Sequence, residues 1–249
     1  MRIHIVGRQI SEVAALARDS GLQVTARTPD VIVCHGGDGT LIGAEREFPG
    51  VPKLALRLDS ECRKCPRHRT ANVLRQLARN RLVASEIMKL EAHVRGRRLL
   101  AINDVLIHNA NILSAVRYKV WIGDDLYSEE IVGDGLVTAT PFGSSAYYRS
   151  ITHSIVRSGI GLAFNNSTEP IDHIVLSESE RVRIRITRGP AIVGADNNPQ
   201  HVQLSEGDEV TIGKAAETAT VLALDTLLCN HCRRQDGRKW NRHGALMAL

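Results

Sequence analysis

The stretch Val31-Ile-Val-Cys-His-Gly-Gly-Asp-Gly-Thr40 decides the fold class. Residues 31–34 form a short β-branched run, apolar on both faces, as expected of a buried parallel strand. The run passes straight into three glycines placed around one acid. Glycines let a backbone approach phosphate oxygens and adopt positive φ. Successive N–H groups can then cradle an anion. Asp38 stands at the exposed C-terminal end of the strand. It could take a proton from an attacking hydroxyl, or hold a Mg²⁺ that bridges phosphates. A tight turn with an Asx-type bond is the alternative, although such a turn has no need of three glycines around one acid.

Strand and helix signals alternate on either side of this loop. Residues 3–6 read as a first strand ending at Gly7. Ser11 can cap the helix that follows, in which Val13, Leu16 and Ala17 recur at helical spacing, and Gly21 can close it. Residues 22–25 and 53–58 read as further strands, and Val73, Leu74, Leu77 and Ala78 place an apolar stripe on a helix. Such alternation implies a parallel sheet with its functional loops at the strand C-termini.

After about residue 81 the period changes. Met88, Leu90, Ala92 and Val94 alternate with Lys89, Glu91 and His93, and Arg95-Gly-Arg97 is a turn signal. Tyr118, Val120 and Ile122, then Val182, Ile184 and Ile186, then Val202 and Leu204, then Val210 and Ile212 repeat the period of two. One helix interrupts, from about Gly143 to about Gly159. The expected architecture is an N-terminal parallel α/β domain over 1–80, an antiparallel, β-rich, sandwich-like domain over 81–224, and a tail over 225–249 that returns to the N-terminal domain.

Composition bounds the function. The chain has 249 residues, 43% of them hydrophobic and only 4% aromatic, so its core must be built from aliphatic side chains. No apolar run approaches the ~20 residues of a membrane span, and the N-terminus lacks a secretory pattern. A soluble, cytoplasmic protein is expected. The balance of 32 Lys+Arg against 27 Asp+Glu gives +5, a mild excess that suits a nucleotide.

Two further stretches carry polar groups fit for a nucleotide acceptor. The first is Ala101-Ile-Asn-Asp-Val-Leu-Ile-His-Asn109 and the second is Gly133-Asp-Gly-Leu-Val-Thr-Ala-Thr-Pro-Phe-Gly-Ser-Ser-Ala-Tyr147. Asn103 offers both a donor and an acceptor. Asp104 and Asp134 can accept from ribose hydroxyls. Gly143, Ser144 and Ser145 would lie at a helix N-terminus, which favours anions. Tyr147 can stack on a flat ring or donate its hydroxyl. Each has a plainer alternative: Asn103 and Asp104 as turn formers, Ser144 or Ser145 as a cap, Tyr147 as core.

The 36–40 loop resembles one shared by NAD kinases, diacylglycerol and sphingosine kinases, and phosphofructokinases. With the two later stretches, in the same order, the chain resembles the NAD kinase family over roughly 1–225. That resemblance implies transfer of a phosphoryl group from ATP, or polyphosphate, to the 2′-hydroxyl of NAD, with Mg²⁺. It implies an active site between the two domains and a homo-oligomer. Asp38 would be catalytic, and Gly36, Gly37, Gly39 and Thr40 would surround the phosphates. Asn103, Asp104, Asp134, Ser145, Ala146, Tyr147 and Ser150 would hold NAD. The chain departs from the family pattern at Arg57, where Asn is usual, at Asp104 for Glu, at Phe142 for Thr or Ser, at Ser145 for Thr, and at Asp196-Asn-Asn198 for an Asp-Gly-Gln-like turn. These changes surround the acceptor side, so a kinase acting on another hydroxyl is the alternative function.

Four of the five cysteines form two Cys-x-x-Cys pairs outside the family pattern, Cys62/Cys65 and Cys229/Cys232. Their spacing suits a shared Cys₄ zinc site, with His68 and His231 nearby as substitute ligands. Reduced thiols and disulfides are the alternatives. Cys34, within a buried strand, reads as core. The second pair precedes Arg233, Arg234, Arg238, Lys239 and Trp240, which could make a basic zinc hook for nucleic acid. Composition places that role last.

Overall fold

The computed structural model of this chain describes residues 1–57, 69–169 and 172–224. It divides into two compact units, one of Met1–Ile87 with the described residues from 218 on, the other of Met88–Glu217.

In the first unit, β1 (Arg2–Gly7), β2 (Gln23–Val24), β3 (Val31–His35) and β4 (Lys53–Leu56) form a parallel sheet in the order β2-β1-β3-β4. Val221 and Leu222 add a further parallel pairing beside Lys53 and Leu54. Every residue of β3 and β4 is buried, as the two-faced apolar runs require. Ile3, Ile5, Val31, Val33, Leu54 and Leu56 share one core with Val13 and Ala17 of α1 (Ile10–Asp19) and with Val73, Leu74 and Leu77 of α3 (Thr70–Ala78). The alternate residues Ile32 and Cys34 point to the opposite face, and α2 (Asp38–Glu47) packs against β3 and β4.

The end of α1 follows its sequence signal. Gly21 has φ of 84°, Gly21 N donates to Arg18 O and Leu22 N to Ala17 O, the paired bonds that close a helix on a left-handed glycine. The start does not. Gln9, itself left-handed, precedes the helix with no side-chain cap, so Ser11 lies inside the first turn instead of capping it.

The second unit is a two-sheet antiparallel sandwich. One sheet contains β7 (Asp104–Asn109), β10 (Gly135–Ala139), β11 (Ile160–Asn165), β12 (His173–Leu176), β14 (Ala191–Ala195) and β15 (Val202–Leu204), in the order β12-β11-β10-β7-β14-β15. The other contains β8 (Val116–Ile122), β9 (Asp125–Gly133), β13 (Val182–Arg188) and residues 209–212 of β16 (Glu209–Leu222), with β13 between β8 and β16. β5 (Ala84–Val94) and β6 (Arg97–Ala101) form a hairpin through Val94 and Arg97. Val105, Ile107, Leu136 and Leu162 from the first sheet meet Tyr118, Val120, Ile184 and Ile212 from the second in one core. Alternation predicts these inward faces because successive strand residues point to opposite sides.

Two expectations need correction here. Lys89 and Glu91 were to be the outward set of β5, yet both are buried. Glu91 accepts from Arg98 and Arg181, so pairing replaces water as its partner. The expected helix over 143–159 is a 3₁₀ turn, Gly143–Ser145, followed by a short α4, Tyr147–Thr152. Ala146, at φ −94° and ψ −116°, separates the two, and His153 ends α4 in the left-handed region. The unbonded helix start expected at Ser144 is therefore absent. Ser144 is fully buried, donates to Pro141 O and accepts from Val156 N.

Candidate active site

In the first unit the loop grows from the ends of adjacent parallel strands. Arg8 N donates to His35 O at 2.9 Å, and His35 Nδ1 lies 2.7 Å from Arg8 O, which makes Nδ1 the protonated nitrogen. Gly7, at φ 107°, allows this approach, since a Cβ there would come within 2.2 Å of His35 O. Gly36 N donates to Leu56 O at 2.8 Å. Gly36 has φ 156°, and a Cβ on it would come within 2.6 Å of Thr40 Oγ1. Gly37 precedes α2 in extended conformation and no side chain caps the helix. Asp38, Gly39 and Thr40 form its first turn, with Asp38 exposed. The chain thus presents three glycines, a carboxylate and the positive end of a ten-residue helix at a strand terminus.

In the second unit the two polar stretches become neighbouring strands. β7 and β10 pair antiparallel from Gly135 with His108 to Ala139 with Asp104. Just beyond this ladder, Thr140 N donates to Asn103 O at 2.9 Å, Thr140 Oγ1 donates to Ile102 O at 2.6 Å, and Gly143 N donates to Thr140 Oγ1 at 2.9 Å. Asn103 is buried, and its Oδ1 has no hydrogen-bond partner among the described residues. Burial, with the nearby Asp196, pushes the Asp104 carboxyl up to about 7.

Asp134 accepts from Asn166 Nδ2 at 2.6 Å and from Asn109 Nδ2 at 3.3 Å. Tyr147 is part exposed and its hydroxyl accepts from Asn165 Nδ2 at 3.3 Å. Burial, then Asp134 and Asp104, raise the Tyr147 phenol above its ordinary value, which places all three groups in one electrostatic neighbourhood. Ser145 is half-buried in the 3₁₀ turn and Ala146 is exposed. Ser150 is exposed on α4, and its hydroxyl donates to Tyr147 O at 2.6 Å. The second unit therefore gathers Asn103, Asp104, Asp134 and Tyr147 with polar groups to spare for a ligand.

A family model, the ATP-NAD kinase C-terminal domain, matches residues 102–224. The NAD kinase of Saccharophagus degradans is 27% identical over 239 residues, 89% of this chain and 80% of that relative. The chain belongs to the NAD kinase family. Two solved structures of the family share its fold. The yeast NADH kinase complexed with NADH has a TM-score of 0.79 at 18% identity, over 100% of this chain and 90% of that one. An NAD kinase from Archaeoglobus fulgidus in complex with ATP has a TM-score of 0.77 at 16% identity, over 94% and 99%.

Within this family frame, four polar residues of the second unit had no assigned part in the sequence reading. Asn109, Asn165 and Asn166 hold Asp134 and Tyr147 by their amides. Asp196 bonds the backbone around Asn103 and Asp104. The Asn165-Asn166 pair after an apolar run signals only a turn, and Asp196 stood out only as a departure. Cys62, Cys65, Cys229 and Cys232, with the basic tail, lie outside the described residues. Among the described residues no group of three or more His, Cys, Asp or Glu could hold a metal ion. None of their helices is long and apolar enough to cross a membrane.

Proposed function

We propose that this chain is an NAD kinase that transfers the terminal phosphoryl group of ATP to the 2′-hydroxyl of NAD, giving NADP and ADP. One observation carries the acceptor half: the stretches containing Asn103–Asp104 and Asp134–Tyr147 fold as hydrogen-bonded neighbours with an unpartnered buried amide oxygen at Asn103. An amide that offers both a donor and an acceptor suits a base or carboxamide edge. Asp104 and Asp134 suit ribose hydroxyls, and the exposed Tyr147 ring suits a flat ring system. Ser145, Ala146 and Ser150 complete the NAD side.

On the donor side, the backbone of Gly36, Gly37, Gly39 and Thr40 and the start of α2 favour phosphate oxygens. Polyphosphate would engage the same groups. Mg²⁺ is a hard cation that keeps several waters and is carried largely by substrate phosphates, so it enters with ATP as part of the substrate. Asp38 accepts the proton of the 2′-hydroxyl as that oxygen bonds to the γ-phosphorus. The bond from the γ-phosphorus to the bridging oxygen breaks, and its electron pair leaves with ADP.

The remaining parts of the proposal are a cytoplasmic location, a homo-oligomer, and one structural Zn²⁺ held by Cys62, Cys65, Cys229 and Cys232. The zinc rests on spacing alone and is tested by metal analysis of the purified chain before and after Cys→Ser substitution.

The deciding experiment measures NADP formation from NAD, ATP and Mg²⁺ by the wild type and by Asp38→Asn. Loss of about 10²–10⁴-fold in the variant, the usual scale for a general base, supports the assignment. Equal rates remove Asp38 from the chemistry. No activity in either folded protein, for NAD or NADH, transfers the assignment to another hydroxyl acceptor, which the departures at Arg57 and Phe142 would then explain.

A further inference from the structure

Asp196 lies just past the end of β14, in a left-handed conformation at φ 51°. Its carboxylate accepts from Asn103 N at 2.7 Å, from Ile102 N at 2.9 Å and from Asp104 N at 3.2 Å. In return Asp196 N donates to Asp104 O at 2.9 Å. One side chain thus holds three consecutive N–H groups at the entry to β7. From the other side, the same backbone is held by Thr140 and crowded by Gly143.

We infer that Asp196 is a positioning residue for the acceptor: its carboxylate sets the backbone of residues 102–104, and so the placement of the Asn103 and Asp104 side chains, as one half of a carboxyl pair with Asp104. This rests on the NAD kinase reading of the site. Three N–H donors stabilise a carboxylate in its ionised form. The pair cannot hold two unscreened charges at low cost in a partly buried place, so the proton resides on Asp104. Tyr147 from α4 is the other titratable group within electrostatic reach of Asp104, whose charge helps raise its phenol. His108 lies four residues along the same face of β7. Protonated, Asp104 can donate to a ribose oxygen as well as accept from a hydroxyl. Ionised, it can only accept. Acceptor affinity therefore changes as pH crosses about 7, while donor affinity does not.

The test uses the full chain with Asp196→Asn, which removes the charge at constant shape, and Asp196→Glu, which keeps it. Carboxyl ¹³C NMR follows Asp104, its resonance assigned by its loss in Asp104→Asn. The wild-type midpoint is expected near 7, falling by at least about one unit in Asp196→Asn and staying raised in Asp196→Glu. In parallel, kcat/KM for NAD across this range should show the same ionisation. Its KM should rise about tenfold in Asp196→Asn, the scale of one lost charge-assisted bond, with KM for ATP unchanged. A wild-type midpoint in the ordinary carboxylate range, or one unmoved in Asp196→Asn, overturns the pairing even if NADP forms. If the midpoint moves but no NADP forms, the pairing stands and the kinase reading falls. An equal rise in both KM values shows general disruption and overturns the positioning role.

Discussion

Gly143 lies against the backbone of Asn103: a Cβ at position 143 would come within 2.1 Å of the Asn103 carbonyl oxygen and 2.2 Å of its Cα. The fifteen-residue stretch that contains Gly143 and the nine-residue stretch that contains Asn103 are thus joined by a contact that only glycine permits. Gly143→Ala must displace backbone, and this is expected to cost about 1–3 kcal/mol and to raise KM for NAD. Gly194→Ala is the control, because nothing lies within 4 Å of a Cβ there. Its expected effect is within about 0.5 kcal/mol. Denaturant unfolding of both variants measures the difference, and equal midpoints would refute the contact.

Lys53 is fully buried in β4, where it pairs with Glu45 of α2 and donates to Phe48 O at 2.5 Å. Removing one member of a buried pair leaves the other charge uncompensated, at a cost of about 3–5 kcal/mol. Lys53→Met alone should destabilise on that scale, whereas Lys53→Met with Glu45→Leu should recover much of the loss. A double-mutant cycle by chemical denaturation gives the coupling; additive losses would show that the two residues act independently.

The Asp104 carboxyl, raised to about 7 by burial and Asp196, releases its proton at an ordinary 3.8 once unfolded. Between those values the folded chain holds a proton that the unfolded chain has lost, so stability falls as pH rises through the window and then levels off. Asp104→Asn lacks this loss. The stability of the variant relative to wild type should therefore grow from about pH 4 to about pH 7 and stay constant beyond. Unfolding curves at a series of pH values test this, and a difference independent of pH would place the Asp104 carboxyl in the ordinary range.

Arg98 holds Glu217 and Glu91 together, with Nη2–Oε2 distances of 2.6 Å and 2.8 Å. The Arg98 hydrogen bonds bring Glu217 down from 4.5 to about 2. Burial pushes Glu91 upward, but bonds from Arg98, Arg181 and His93 outweigh it and leave it lowered. Groups depressed in the folded state add stability that is present above 4.5 and disappears as pH falls toward 2. Arg98→Gln should thus lose this contribution above about pH 4.5, by a modest amount because the Arg98–Glu217 pair is exposed, and should approach wild-type stability as pH falls toward 2. Denaturant unfolding of both proteins at a series of pH values checks this, and a difference that does not shrink in acid would refute it.

Much of this was legible in the chain itself. The apolar run into Gly36, Gly37 and Gly39 specifies a buried parallel strand and a tight loop, because β-branching and glycine spacing act over a few residues; the helix that begins at Asp38 is an addition of the structure. The period of two after residue 81 specifies the sandwich faces for the same local reason. Asn103, Asp104, Asp134 and Tyr147 stood out because the two stretches that hold them resemble those of the NAD kinase family, in the same order. Local signals failed where distant partners competed. Ser11 had the chemistry of a cap, yet the chain enters α1 two residues earlier through Gln9. Lys89 and Glu91 had the pattern of a solvent face and lie buried, Glu91 among arginines supplied by β6 and by Arg181 ahead of β13.

By itself, then, the sequence determined the buried strand and glycine loop that carry Asp38 and the alternating strands of the second unit, since both follow from local sterics and side-chain period. Tertiary structure alone decided that Asp196 would bind the N–H of Asp104 across 92 residues of chain. It also decided that Asp104 would be buried beside that carboxylate. Hydrogen-bond pairing and local dielectric depend on what other segments bring to a place, and no spacing along the chain encodes them.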